Sequence, residues 1–113
     1  MKAQLQQLLA DLKLDTIKFS DVIAFIEQHY NHTPTAFKNG EAFNESSQNQ
    51  GSAKVFSFAQ INELNEDETL SLFAEHYNAV KASPDGVDHQ NIREFIANGW
   101  AGITFEGQAL TKN

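Results

Sequence analysis

The 113-residue sequence contains no cysteine, only eight lysine or arginine residues, and no apolar run long enough to span a membrane. Without cysteine, disulfides, thiolate nucleophiles and zinc–thiolate sites are excluded. Fifteen acidic residues leave a formal net charge of −7, so nonspecific binding to nucleic acid or to an anionic membrane has no electrostatic driving force. The composition predicts a soluble protein whose partners carry basic surfaces.

Aromatic residues, in contrast, are plentiful. Nine phenylalanines, two tyrosines and Trp100 supply enough bulky surface to pack one core. A chain of this length suits one domain, so residues 1–113 are predicted to form a single domain. The first residues lack the long apolar run and cleavage site of a signal peptide, which predicts a cytoplasmic location in the producing cell.

The spacing of apolar residues predicts two helices in the first third of the chain. Four leucines recur at the i, i+3, i+4 and i+7 spacing of one helical stripe: Leu5, Leu8, Leu9 and Leu12. Ser20 or Asp21 is predicted to cap a second helix. Pro34 ends the helical tendency of the residues before it, because the residue preceding a proline prefers extended geometry.

Two longer helices are predicted in the middle of the chain. Lys54–Leu64 fits either an alternating strand or a helix, and a helix started by Ser52 is favoured. Asn65, followed by three acids with Glu68 at the capping-box position, is a stronger start signal. It predicts one continuous helix to about Lys81, with an apolar arc about 200° wide that makes it the most buried of all.

The last predicted helix runs from Asp88, its expected cap, to Gly99, its expected end. Trp100 should then pack back on Phe95 and be largely buried. Two hairpin-like segments lie elsewhere, at residues 35–43 with an Asn-Gly turn and at residues 103–110. We expect them to pair with each other, so the predicted fold is α+β, predominantly α-helical, with four to five helices around one aromatic-rich core and a small β-sheet.

The polar segment at residues 44–52 allows two interpretations. Its composition suits either a flexible tether or a loop held in place by its own amides and hydroxyls. Gly51, Ser52 and Lys54 before a helix resemble a phosphate cradle, but their order does not match a Walker loop. Nucleotide binding is therefore not predicted.

The four histidines raise the question of a metal site. No pair shows the His-x-x-x-His spacing with a neighbouring acid that a zinc hydrolase has, so neither a metal nor any cofactor is predicted. His76 falls inside the apolar arc of the fourth helix and is interpreted as a core histidine bonded to a backbone carbonyl.

The richest cluster is "DGVDHQNIREF", residues 85–95. A helix start favours the neutral imidazole of His89, able to accept a proton, and Arg93 follows one turn later. With Asp85 or Asp88 orienting the ring, the pair could bind or polarise an oxyanion. The alternative is structural: Asp88 caps the helix, His89 covers its first turn and Arg93 pairs with a nearby acid.

Four stretches resemble, in order and spacing, the HopJ type III effector family of small bacterial proteins: "PTAFKNG", "NQGSAKVFSFA", "SPDGVDHQNIREF" and "GWAGITFEG". The resemblance covers about residues 19–110. It implies no established biochemical activity, so no catalytic residue is carried over. Because one of the motifs contains residues 49–52, the end of the 44–52 segment, the resemblance favours a held loop, with Asn44 and Asn49 capping or bridging backbone groups beside the last helix.

The resemblance also implies delivery into host cells by a type III secretion system. Export signals of that system are serine-rich and flexible, whereas Met1–Lys13 has no serine and is predicted to be an amphipathic helix. The residues themselves thus favour the cytoplasm of the producing bacterium.

Two functions are carried forward. The first is a noncatalytic protein-interaction domain, with a host protein as partner if the chain is secreted. The second is a small enzyme or an anion- or ligand-binding protein that uses His89 and Arg93 near the 44–52 loop. The candidate binding residues are Asn44, Asn49, Ser52, Lys54, Asp88, His89, Asn91 and Arg93.

Overall fold

The computed structural model describes residues 2–113, and its fold is α+β with helices predominating. Six α-helices occur in the described chain: α1 Lys2–Lys13, α2 Phe19–His29, α3 Gln50–Ile61, α4 Glu66–Ser71, α5 Glu75–Ala82 and α6 Gln90–Asn98. Five short strands accompany them: β1 Tyr30–His32, β2 Phe37–Asn39, β3 Ala42–Asn44, β4 Ile103–Phe105 and β5 Leu110–Lys112. A 3-10 helix, Gly99–Gly102, connects α6 to β4.

The strands form two small antiparallel sheets. One has the order β3-β2-β4, so the early and late hairpin-like segments pair as expected, with Lys38 opposite both Phe43 and Thr104. The late segment does not itself form a hairpin, because β5 pairs with β1 in the second sheet, where Tyr30 faces Lys112. The two halves of the late segment therefore pair with different early strands, β4 with β2 and β5 with β1.

The helix starts differ in detail from those predicted. Asp21 does not cap α2 but is its third residue. Its carboxylate accepts a hydrogen bond at 2.9 Å from the amide of Lys18, the residue before the helix. The third helix begins at Gln50, two residues before Ser52. Asn65 caps α4 as predicted, in a capping box with Glu68.

The predicted continuous helix from Asn65 to Lys81 is wrong, since it breaks into α4 and α5 at Ala74. Ala74 has φ 53° and ψ −122°, a conformation that interrupts any α-helix. The three residues at the break, Leu72, Phe73 and Ala74, are all buried.

The core is rich in aromatic rings, and Phe56 of α3 lies at its centre. This side chain is fully buried, and its ring centroid lies 5.0 Å from that of Phe95 and 5.4 Å from that of Phe73. Trp100 packs edge-on against Phe95 at 4.9 Å, as predicted, with a minor part of its surface exposed. Its indole N–H donates to the Leu64 carbonyl at 3.3 Å, which holds it at the core's edge.

The remaining helices close around this centre. Leu5, Leu8 and Leu12 of α1 are buried, as their spacing predicts, and so are Val22 and Ile26 of α2. None of the helices described between residues 2 and 113 combines the length and apolarity that crossing a bilayer requires.

Candidate functional site

A cleft of about 670 Å³ lies where β3 and the starts of α3 and α6 meet. We call it the asparagine cleft. Six of the eight candidate residues line it: Asn44, Asn49, Ser52, Asp88, His89 and Asn91. Two segments that are separated in sequence by most of α3 and by α4 and α5 thus share one neighbourhood.

The base of the cleft is a network of asparagine side chains. Asn44 and Asn91, both buried, exchange amide hydrogen bonds: Asn91 Nδ2 donates to Asn44 Oδ1 at 3.0 Å, and Asn44 Nδ2 to Asn91 Oδ1 at 3.2 Å. Asn49 Nδ2 donates to the same Asn44 oxygen at 2.7 Å. The network therefore joins β3 to both α3 and α6.

Asn39 belongs to this network and was missed by the sequence analysis. Its amide nitrogen donates to the Asn91 carbonyl at 2.8 Å and to the Asn91 side chain at 3.1 Å. The sequence predicts an Asn-Gly turn here, but the turn is Gly40–Glu41, and Asn39 closes β2 and is fully buried. Its own side-chain oxygen has no partner within residues 2–113.

The 44–52 segment is held rather than slack. Gln50 Nε2 donates to the Gln48 carbonyl at 2.8 Å, and Gln50 Oε1 accepts from the Thr35 amide at 3.0 Å. Gln48 in turn accepts from the Glu45 amide through its side chain at 3.0 Å. These bonds satisfy backbone groups of the loop and support the held-loop interpretation.

Asp88 does not cap α6, contrary to the prediction. The residue before the helix is His89, which has φ 51° and ψ 49° in the left-handed region, and no side chain caps the first turn. Asp88 instead pairs with Arg93 at 2.6 Å. The hydrogen bond from Arg93 is the main reason that the pKa of Asp88 lies below its usual range.

The two cations of the candidate set lie outside the cleft lining. Lys54 Nζ binds Glu27 at 2.8 Å. The Arg93 guanidinium donates to the Ser83 carbonyl at 2.8 Å as well as to Asp88, and faces a separate groove beside Ile96. Arg93 thus pairs with a nearby acid, as in the structural alternative, and loop carbonyls occupy the rest of its guanidinium; a joint oxyanion site of His89 and Arg93 stays an untested prediction.

His76, interpreted from sequence as a core histidine, is instead half-buried in the cleft wall. Its ring centroid lies 5.1 Å from that of His89 and 5.0 Å from that of Phe19, against which it packs edge-on. Neither imidazole forms a hydrogen bond within the part of the chain that the structure describes. Two half-buried rings thus line the same cleft, and neither has a hydrogen-bond partner among the described residues.

Glu75 lies beside this wall and caps α2 from another helix. Its Oε1 accepts from the Phe19 amide at 2.7 Å. Burial tends to raise the pKa of Glu75, but the Phe19 hydrogen bond and the neighbouring His76 outweigh it, so the net pKa is lowered. The carboxylate is thus ionised at neutral pH.

The chemistry available in the cleft is recognition by hydrogen bonds, imidazole nitrogens and aromatic faces. No set of three or more His, Cys, Asp or Glu side chains among residues 2–113 is arranged to hold a metal ion. Phe19, Phe43 and Phe73 supply apolar walls, and the asparagines supply amides. Such a mixture of apolar walls and a few convergent polar groups is typical of binding sites.

The family model described as HopJ type III effector protein matches residues 4–110. The match begins ahead of Phe19 and so includes most of α1, which the sequence motifs left outside the resemblance. A crystal structure of a protein of unknown function, VPA0580, is 42% identical, covers 96% of this chain and 92% of its own, and superposes with a TM-score of 0.88. A search of curated proteins finds no match.

Proposed function

The chain belongs to the HopJ type III effector protein family, and from that premise we propose that it is a noncatalytic protein-interaction domain that binds an extended segment of its partner in the asparagine cleft. The observation that carries this proposal is the free edge of β3, which lies along the cleft.

The hydrogen-bond pattern of the sheet identifies which backbone groups lie on that edge. Gly40 donates to the Gly102 carbonyl and Glu106 to the Ala36 carbonyl, so even-numbered residues along β2 bond toward β4. Odd-numbered residues therefore bond toward β3. Because antiparallel pairing alternates, Phe43 turns its N–H and C=O away from β2, toward the free edge.

Apolar side chains lie next to this edge. Phe43 is 51% exposed and Val87 is 82% exposed, and both line the cleft. An added strand would bond to the Phe43 backbone and place alternate side chains against these two residues. The asparagine network below bonds its own amides to one another and thereby holds β3 in place beside α3 and α6.

Charge favours a basic segment as the occupant. The formal net charge of −7 attracts cationic partners and repels nucleic acid and anionic membranes. The family is described as one of type III effectors, and if this chain is delivered by such a system its partner is a host protein.

The test is a peptide-display selection against the full chain, with binding of the selected peptides then measured by calorimetry. Phe43→Pro removes the outward N–H, and a sheet edge tolerates proline because no neighbouring strand needs that N–H. The matched control Phe43→Ala removes only the ring. We expect Phe43→Pro to weaken binding at least about tenfold more than Phe43→Ala, the effect of a lost backbone hydrogen bond.

Circular dichroism and thermal melts verify that both variants are folded. Equal affinities of Phe43→Pro and Phe43→Ala would contradict strand addition at β3. So would selected peptides that leave the amide resonances of residues 42–44 unshifted in NMR spectra of the wild-type chain.

A further inference from the structure

The paired imidazoles of the cleft have no assigned task in strand addition. His76 comes from the first turn of α5 and His89 from the residue before α6, and their rings lie 5.1 Å apart. Their nitrogens are free of hydrogen bonds to residues 2–113. A bound group would therefore displace no hydrogen bond of either ring, although Asp88 Oδ2 lies 3.9 Å from His89 Nε2.

On α6 and its preceding turn, Asp88 and Arg93 form an ion pair beside His89, and two further acids, Asp85 and Glu94, lie outside the cleft lining. Asp88 is the only carboxylate in the cleft lining, and its Oδ2 lies 3.9 Å from His89 Nε2. Its other oxygen holds Arg93 at 2.6 Å. This pair contributes no net charge to the cleft.

The charged groups on the other elements around the rings are paired or lie outside the cleft lining. On α5, Glu75 acts on His76 and is itself opposed by Lys18, which precedes α2. On α3, Lys54 is paired with Glu27, and the first turn contains no acid. The turn before β3 and the loop after it carry two exposed acids outside the lining: Glu41 and Glu45.

Protonation of the two rings therefore gives the cleft a local positive charge on an otherwise acidic molecule. Imidazole is the side chain that titrates between about pH 5 and 8. A protonated ring presents two N–H donors and no acceptor, which suits an oxyanion.

We propose that His76 and His89 form a proton-linked subsite for an oxyanion, a carboxylate or phosphate-type group carried by the segment that binds in the asparagine cleft. The inference rests on the proposed function for the origin of that group, but the subsite itself is testable with simple anions. Binding of the anion takes up protons from solvent, since the anion stabilises the imidazolium form.

The probe is sulfate, which remains a dianion across the pH range used, so that any pH dependence belongs to the protein. Sulfate is titrated into the full chain at constant ionic strength, at about pH 5.5 and about pH 8, the limits of imidazole titration. NMR follows the ring C–H signals of all four histidines. We expect saturable shifts of His76 and His89 at the lower pH and an affinity at least roughly tenfold weaker at the higher one.

Variants then assign the effect to the pair. His76→Gln and His89→Gln should each weaken sulfate binding, and the double variant should abolish it. His29→Gln is the matched control, because His29 packs against Phe25 outside the cleft. A parallel titration with acetate distinguishes a carboxylate subsite, which binds both anions, from a phosphate-type one, which binds sulfate alone.

Three results would overturn the subsite: no shift of either ring with both anions, an affinity independent of pH, or undiminished binding in the double variant. The ring signals of the wild-type chain decide the first two even if a variant fails to fold. If sulfate shifts neither ring while peptide binding still depends on the Phe43 N–H, only the subsite is refuted. If sulfate binds the two rings while peptide binding does not depend on the Phe43 N–H, only strand addition is refuted.

Discussion

The Arg93 side chain holds the turn at residues 83–88 beside α6. It donates to the carbonyls of Ser83 and Asp88 and to the Asp88 carboxylate, while only 13% of the side chain is exposed. A planar guanidinium with several donors suits this task better than a lysine would. Arg93 is thus a structural residue of the turn, and the turn in turn positions His89.

The ion pair predicts a specific pH dependence of stability. Because Arg93 lowers the pKa of Asp88 in the folded state, the pair stabilises the fold above the usual carboxyl pKa of about 3.9 and loses that effect as the pH falls through the lower, folded-state value. In urea unfolding, the free energy of unfolding of the wild-type chain should exceed that of Asp88→Asn above about pH 5. The two values should converge in more acidic solution.

Glu106→Gln, which removes an exposed carboxylate outside the turn, is the control for this comparison. A difference between wild type and Asp88→Asn that stays constant from neutral to acidic pH would show that the pair has no linkage to folding.

At the scale of elements, the division between α4 and α5 depends on one strained residue. Ala74 has a positive φ of 53°, which costs a residue with a side chain about 1 to 3 kcal/mol. Glycine avoids this cost, and the buried methyl that it removes contributes only about 0.8 kcal/mol. Strain is therefore the larger of the two effects.

We predict that Ala74→Gly raises the free energy of unfolding, by up to about 2 kcal/mol when the methyl is deducted. Ala79→Gly is the matched control: it lies exposed inside α5 and should lower the free energy of unfolding by about 1 kcal/mol. Urea denaturation measures both. Equal destabilisation by the two variants would mean that the break is not strained.

Two glycines also decide how elements meet. At Gly40, with φ 59°, an added Cβ would overlap the Glu94 carboxylate, and that carboxylate accepts from the Glu41 amide at 2.9 Å. At Gly99, with φ 61°, a Cβ would overlap the Glu66 carboxylate. Each glycine allows an acid of a helix to approach a turn closely, which a larger residue would prevent.

At the scale of the whole molecule, one aromatic cluster joins helices and sheet. Phe56 contacts Phe95 of α6 and Phe73 at the α4–α5 break, and its ring centroid lies 6.1 Å from that of Phe37 on β2. Because these elements also carry the cleft residues, the cluster sets the distance between the two cleft walls. The cleft is a consequence of the core.

Phe56→Ala should therefore lower the free energy of unfolding by about 3 to 5 kcal/mol, as expected for removal of a fully buried phenylalanine. Phe43→Ala, at a half-exposed ring, should cost no more than about 0.5 kcal/mol. Chemical denaturation compares the two directly. A loss in Phe56→Ala of the same size as in Phe43→Ala would place the centre of the core elsewhere.

The sequence predicted features that depend on residues close together in the chain and missed features that depend on distant ones. The stripe of Leu5, Leu8 and Leu12 and the capping box at Asn65 are local patterns, and the structure contains both. The burial of Asn39 has no local signal, because an Asn-Gly pair is typical of exposed turns. Its partner Asn91 lies 52 residues away, so only the folded chain brings the amides together.

The sequence by itself determined the acidic surface, the aromatic core, the hairpin at residues 35–43 and most of the helices, since these follow from composition and from contacts a few residues apart. Tertiary structure alone decided that Arg93 turns away from His89, that His76 turns toward it, and that β3 has a free edge along the cleft. Each of these depends on which distant groups compete for the same donor, acceptor or space, and that competition is settled only when the chain packs.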